Sequence, residues 1–274
     1  MIIVCFFLGF DTCKNLNKFA QKYNYIMKVI ISPAKKLNEK YCDVKSESTI
    51  PFAKESKDLV QELKNFSEEQ IISLMGVSAS IAKLNKQRFN DWSYPFNDVS
   101  KPAIFMFDGA VYNELDVETL KQSDILHMQD NLRILSGLYG ILKPLDKIMP
   151  YRLEMGTKLS VDGHKNLYEF WGDKITKQLL SECTQDDIIL NLASNEYSKV
   201  LDLKSFSNVI TPVFKDYKND KLKVISFFAK KARGAFARFV MTEKPKKIDD
   251  LLNFNGLGYQ FSERNSKNEI IFTR

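Results

Sequence analysis

Apolar and polar positions alternate along this chain with two different periods, so it contains helices and strands in comparable measure. Residues 28–32 are an unbroken, mostly β-branched run, the pattern of a strand covered on both faces, and Pro33 ends it. Residues 37–51 are polar and include Pro51, as a loop would be. Leu59, Val60, Leu63 and Phe66 recur at helical spacing and predict a helix over 52–66. Ser67 followed by Glu68-Glu69-Gln70 is a capping-box pattern that opens a second helix over 68–75, and a third runs over 79–89. Residues 108–129 look helical in short pieces. An apolar strand then runs into "SGLYGILKPLDKIMPYRLEMG", where Gly137, Gly140, Pro144 and Pro150 shape the backbone.

Further along, 167–180 reads as one helix with an aromatic face, and 188–192 as a strand. Residues 209–214 and 222–228 read as strands of a hairpin around "KDYKND". A basic helix follows over about 229–242, then a short helix over 248–254 and a closing hairpin, 257–261 with 269–272. Helices and strands mix without strict alternation. The fold class expected is therefore α+β, a single domain over 27–274 with a mixed β-sheet flanked by helices. The first ten residues, MIIVCFFLGF, are apolar but too few to span a bilayer, and they lack the basic start and cleavage site of a secretory signal. Because Met27 opens a fresh strand-like run, residues 1–26 are expected to be an extension outside the fold.

Composition narrows the function classes. With 274 residues, 44% apolar and 27% charged, the chain is an ordinary soluble type. Its net charge of +6 is unevenly spread, since eleven Lys and Arg between Lys215 and Lys247 face only Asp216, Asp220 and Glu243. That asymmetry suggests an anionic partner, although charge runs commonly just face water. Four scattered cysteines and two distant histidines give no Cys/His metal site, so no metal and no cofactor are expected. Sparse thiols fit a reducing compartment, and the expected location is cytoplasmic.

Three constellations carry candidate chemistry. On a helical wheel "ISFFAKKARGAFARFVM" places Lys230, Lys231, Arg233 and Arg238 on one side and Phe236 and Phe239 on the other. Gly234 keeps the cationic side low, so a backbone could approach it closely. These cations suit a nucleic acid, a small phosphate ligand, or water. In "LMGVSASIAKLNKQRF" a helix ends at Gly76, Val77 points inward and Ser78 caps the next helix, followed by Lys83, Lys86 and Arg88. This is the pattern of a helix-hairpin-helix element with a serine at its second glycine; an ordinary helix corner reads the same way. The third constellation lies at strand ends and turns: Lys35, Ser136, Tyr151, Arg152, Glu154, Trp171, Ser194 and Tyr197. It suits a ligand pocket or a satisfied polar network. No P-loop, G-x-G-x-x-G or G-x-S-x-G motif occurs, and no catalytic residue follows from spacing.

"MKVIISPAKKL", "SGLYGILKPLDKIMPYRLEMG", "LYEFWGDKIT", "NLASNEY" and "ISFFAKKARGAFARF" stand in the order found in the bacterial YaaA peroxide stress proteins. From Met27 to its C-terminus the chain resembles that family. The resemblance implies an unusual single-domain mixed fold with a helix-hairpin-helix element and a positively charged cleft. It also implies binding of double-stranded DNA, largely independent of sequence, and protection against peroxide by limiting free iron. Carried over, the hairpin role falls on Gly76, Val77 and Ser78, and the basic groove on Lys230, Lys231 and Arg233. The alternative expectation is an enzyme whose phosphate-bearing or nucleotide-like substrate is held by Lys35, Arg152 and the cations of 230–233. A deep cavity collecting Tyr151, Arg152, Trp171 and Ser194 would favour it over DNA binding.

Overall fold

The computed structural model describes residues 26–40, 42–44, 46, 48–266 and 268–274; the expectation for residues 1–26 therefore lies almost wholly outside them. Strand β1 (Met27–Ile31) is buried at every position; its apolar residues fill the core, and Lys28 is accommodated by donating to the Asp130 carbonyl at 2.6 Å. The strand lies at the centre of an eight-stranded sheet. Strand β2 (Leu132–Ser136) is parallel to it on one side and β4 (Ile188–Asn191) on the other. Beyond β4 come β5 (Asn208–Lys218) and β8 (Glu269–Thr273), both parallel. Antiparallel strands close the edges: β3 (Gly140–Leu142) on β2, and β7 (Gln260–Arg264) on β8. Short β6 (Lys221–Lys223) folds back on β5. The sheet is thus mixed, with five parallel strands inside, and the expected α+β single-domain architecture with flanking helices holds.

The long connection from β1 to β2 carries α1 (Ala53–Lys64), α2 (Glu68–Met75), α3 (Ala79–Asp91), α4 (Ala110–Leu115) and α5 (Gln122–Asn131). Leu59, Val60 and Leu63 of α1 are buried, as the spacing predicts. The capping box forms: Ser67 Oγ accepts from Gln70 N, and the Gln70 side chain accepts from Ser67 N at 2.7 Å. Gly76 ends α2 at φ +60°, a left-handed turn that glycine adopts without cost, and the Ser78 side chain caps α3 by accepting from Ile81 N.

Two expectations need correction. The helix over 167–180 is broken by Gly172, at φ +48°, into α6 (Leu167–Trp171) and α7 (Lys174–Ser181). The strand over 222–228 stops at Lys223, because Ser226 already begins α9 (Ser226–Glu243), after the short α8 (Asn195–Ser198). Phe227 and Phe228 suggested a strand by propensity. Helix wins because one face of α9 packs Ala229, Ala232 and Phe236 into the core. α9 lies against α4, α5 and β5. Its closest approach is at Gly234, where an added Cβ would sit 2.1 Å from the Val111 carbonyl oxygen of α4. The backbone that glycine admits is the protein's own.

Candidate functional site

The chain leaves β1 toward β2 on one side, and β4 is laid on the other side, so connectivity reverses between β1 and β4. At such a switch point the loops after neighbouring parallel strands diverge and leave a crevice at the strands' carboxyl ends. Ser32, just past β1, and Ser194, past β4, meet there: Ser194 N donates to Ser32 Oγ at 2.9 Å, and their hydroxyls are 3.3 Å apart. Above them opens a cavity of about 330 Å³.

Five segments wall this cavity, and four of them carry motifs that the sequence singles out. Lys35 comes from the turn after β1, Tyr151, Arg152 and Glu154 from the shaped run, Ser194 and Tyr197 from the β4 exit, and Lys230 and Arg233 from α9. The start of α4 supplies the fifth wall, and Tyr112 there donates to the Ser32 carbonyl at 3.0 Å. Arg152 and Glu154 do pair, at 3.1 Å, and Lys35 reaches the other Glu154 oxygen at 2.6 Å. Lys36 pairs with Asp108 at 2.6 Å, and the Gly156 amide donates to Glu196 at 3.0 Å. Asp108 and Tyr112 went unnoticed in the sequence; the signal available was an Asp-Gly turn directly before a helix.

Ser136 and Trp171 do not line the cavity. Ser136 is buried behind its wall, 2.6 Å from the Tyr151 hydroxyl, and fixes that ring. Trp171 is fully buried and donates to the Gly137 carbonyl at 3.1 Å.

The predicted cations divide into engaged and free. Lys231 pairs with Glu114 at 2.8 Å. Arg238 donates to the Leu115 and Asp116 carbonyls and to Thr119 Oγ1, each at 2.8 Å, and so closes the C-terminal end of α4. Lys86 does the same for α1, donating to the carbonyls of Lys64 at 2.6 Å and Phe66 at 2.7 Å. Arg88 is bonded to Glu39 and Asn85. Lys83 is exposed on α3, Gly76 and Ser78 are exposed at the α2–α3 corner, and Val77 is half-buried there against the core.

The cavity cations are different. Arg233 is half-buried and, among the described residues, has neither an ion pair nor a hydrogen bond; burial pulls its pKa down. Lys230 is exposed at the rim without an ion pair among the described residues. The Arg152 Nε is buried and has no acceptor. Five cationic side chains, Lys35, Lys36, Arg152, Lys230 and Arg233, stand against Asp108, Glu154 and Glu196, a surplus of two positive charges. Burial raises the pKa of Tyr112, Tyr151 and Tyr197, so these phenols are neutral hydrogen-bonding groups at neutral pH, not bases. No cluster of His, Cys, Asp and Glu suited to a metal ion occurs among the described residues, and none of their helices is long and apolar enough to cross a membrane.

The family profile described as Peroxide stress protein YaaA matches residues 27–265. A UPF0246 protein of Flavobacterium johnsoniae is 47% identical over 252 residues, covering 90% of this chain and 100% of its own length. The UPF0246 protein FP0718 of Flavobacterium psychrophilum is 45% identical over 252 residues, with the same coverage. The UPF0246 protein IL2146 of Idiomarina loihiensis is 45% identical over 254 residues, covering 90% of this chain and 98% of its own.

Proposed function

Because this chain belongs to the family of the peroxide stress protein YaaA, we propose that it serves that response through the cavity between β1, β4, α4 and α9, which takes a phosphate-bearing small molecule. One observation carries this reading: Arg233 is half-buried at the cavity without a counter-ion among the described residues, beside an Arg152 whose buried Nε lacks an acceptor. Arg152 keeps its Nη2 bond to Glu154, but holding its Nε and the Arg233 guanidinium partly out of water without an acceptor is costly, and a bound oxyanion supplies acceptors to both. The position at a switch point of parallel strands supports the same reading. Isothermal titration with inorganic phosphate and a simple phosphomonoester tests it. The protein binds both, and Arg233→Gln weakens binding by roughly ten- to a hundred-fold, the worth of a charge-assisted hydrogen bond. Unchanged affinity in that variant overturns the reading.

A second reading is largely sequence-independent binding of double-stranded DNA in the cytoplasm, with the α2–α3 corner as a helix-hairpin-helix element and free iron kept low. The exposed Lys83, Lys218, Lys221, Lys223 and Lys230 support it. Its test is a fluorescence titration of duplex DNA at several salt concentrations. Log K then falls with log[salt] by about 0.9 per phosphate contacted. Reversing the charge of Lys83, Lys221 and Lys223 together abolishes retention. Normal retention by that triple variant removes this reading.

A further inference from the structure

We infer that the molecule this cavity takes is a nucleoside 5′-monophosphate. The inference rests on the phosphate reading above and narrows it, because the walls carry more than phosphate chemistry.

The lining separates into three kinds of surface. Lys230 and Arg233 supply positive charge from α9 that no described residue pairs. Ala34, Val111 and Leu153 form apolar wall, and more of the lining is apolar than polar. Glu154 and Glu196 bring carboxylate oxygens from the shaped run and from α8. Inorganic phosphate would use the first surface and leave the apolar wall wet. A sugar phosphate would use the first and third. A planar base covers the apolar wall, ribose hydroxyls donate to carboxylates, and the phosphate meets the guanidinium groups, so a mononucleotide engages all three.

Charge and size choose among nucleotides. The site's surplus is two positive charges, and a phosphomonoester carries about −1.5 to −2 at neutral pH. A nucleoside monophosphate neutralises the site. A triphosphate would leave excess negative charge, and among the described residues no acidic cluster holds a divalent ion to offset it. The volume of about 330 Å³ lies at the lower end of the roughly 300–1,000 Å³ usual for ligand sites, which suits one nucleotide and not two.

Isothermal titration of the full chain with AMP, GMP, CMP, UMP, the matching nucleosides, ribose 5-phosphate, inorganic phosphate and ATP tests this. At least one monophosphate binds tenfold or more tightly than both its nucleoside and ribose 5-phosphate, and more tightly than ATP binds. Arg233→Gln brings that monophosphate down to the affinity of its nucleoside while the nucleoside's affinity stays. Lys230→Gln, at an exposed position that the fold does not depend on, lowers it in the same direction. If ribose 5-phosphate or inorganic phosphate binds as well as every monophosphate, the nucleotide assignment is overturned and the phosphate reading stands. If no phosphate compound binds, both fall.

Discussion

A Cβ at position 234 would lie 2.1 Å from the Val111 carbonyl oxygen, so α9 and α4 touch backbone to backbone there. The contact sits next to Arg233, and it sets how far into the cavity that side chain reaches. Gly234→Ala must push the helices apart. The expected cost is about 1–3 kcal/mol of stability, as for other overpacked sites, with weaker phosphate binding beside it; thermal unfolding and calorimetry read the two effects. An unchanged melting temperature with unchanged affinity would show that the close approach is dispensable. Residue chemistry explains which side chains sequence could and could not assign. Arg152 and Glu154, two apart in an extended run, pair as their spacing suggests. Lys86 and Arg238 looked like surface cations, yet their partners are carbonyls at the ends of α1 and α4. Those acceptors belong to no side chain, so no residue pattern announces them.

Elements were most legible where local chemistry decides them. The capping box at Ser67 and Gln70 and the left-handed Gly76 bound α2 where the sequence puts its ends. Ser67→Ala removes the side-chain acceptor for Gln70 N. It should cost about 1 kcal/mol, the usual worth of an N-cap, seen as a lower urea midpoint at unchanged slope. A change in slope instead would mean that the corner does more than end a helix. The break at Gly172 is local, a glycine at φ +48° that the apolar spacing on either side masks, whereas the α9 start was less legible because tertiary contacts decide it. Phe227 and Phe228 favour a strand locally, and only α4 and β5 packed against α9 make helix the better state for that segment. The cavity was legible as separate motifs at strand ends. Their convergence was not, because it depends on which strands are neighbours.

Across the whole molecule, loop and sheet are tied by Asp146, which accepts from the Lys143 amide at 2.8 Å and from Ser48. Burial pushes its pKa up to about 6, whereas an unfolded Asp titrates near 3.9. Between those values the native state holds the extra proton. The stability from this group is therefore fully present below about pH 4 and is lost as pH rises through about 6. Urea unfolding of the wild type and of Asp146→Asn at pH 4.5, 5.5 and 7 should show their difference changing across that window. A constant difference would place the titration elsewhere. The sheet order has its own consequence for how the chain is made. Val29 pairs with Leu132 and Met27 with Ile188, so β1 finds its neighbours only after long stretches of later chain. Closing such loops is slow, and an unpaired apolar strand invites association with other chains meanwhile. During synthesis β1 has no partner until β2 emerges and keeps its other edge open until β4 follows, so the half-made sheet offers one bare apolar edge to any neighbouring chain for the whole of that interval.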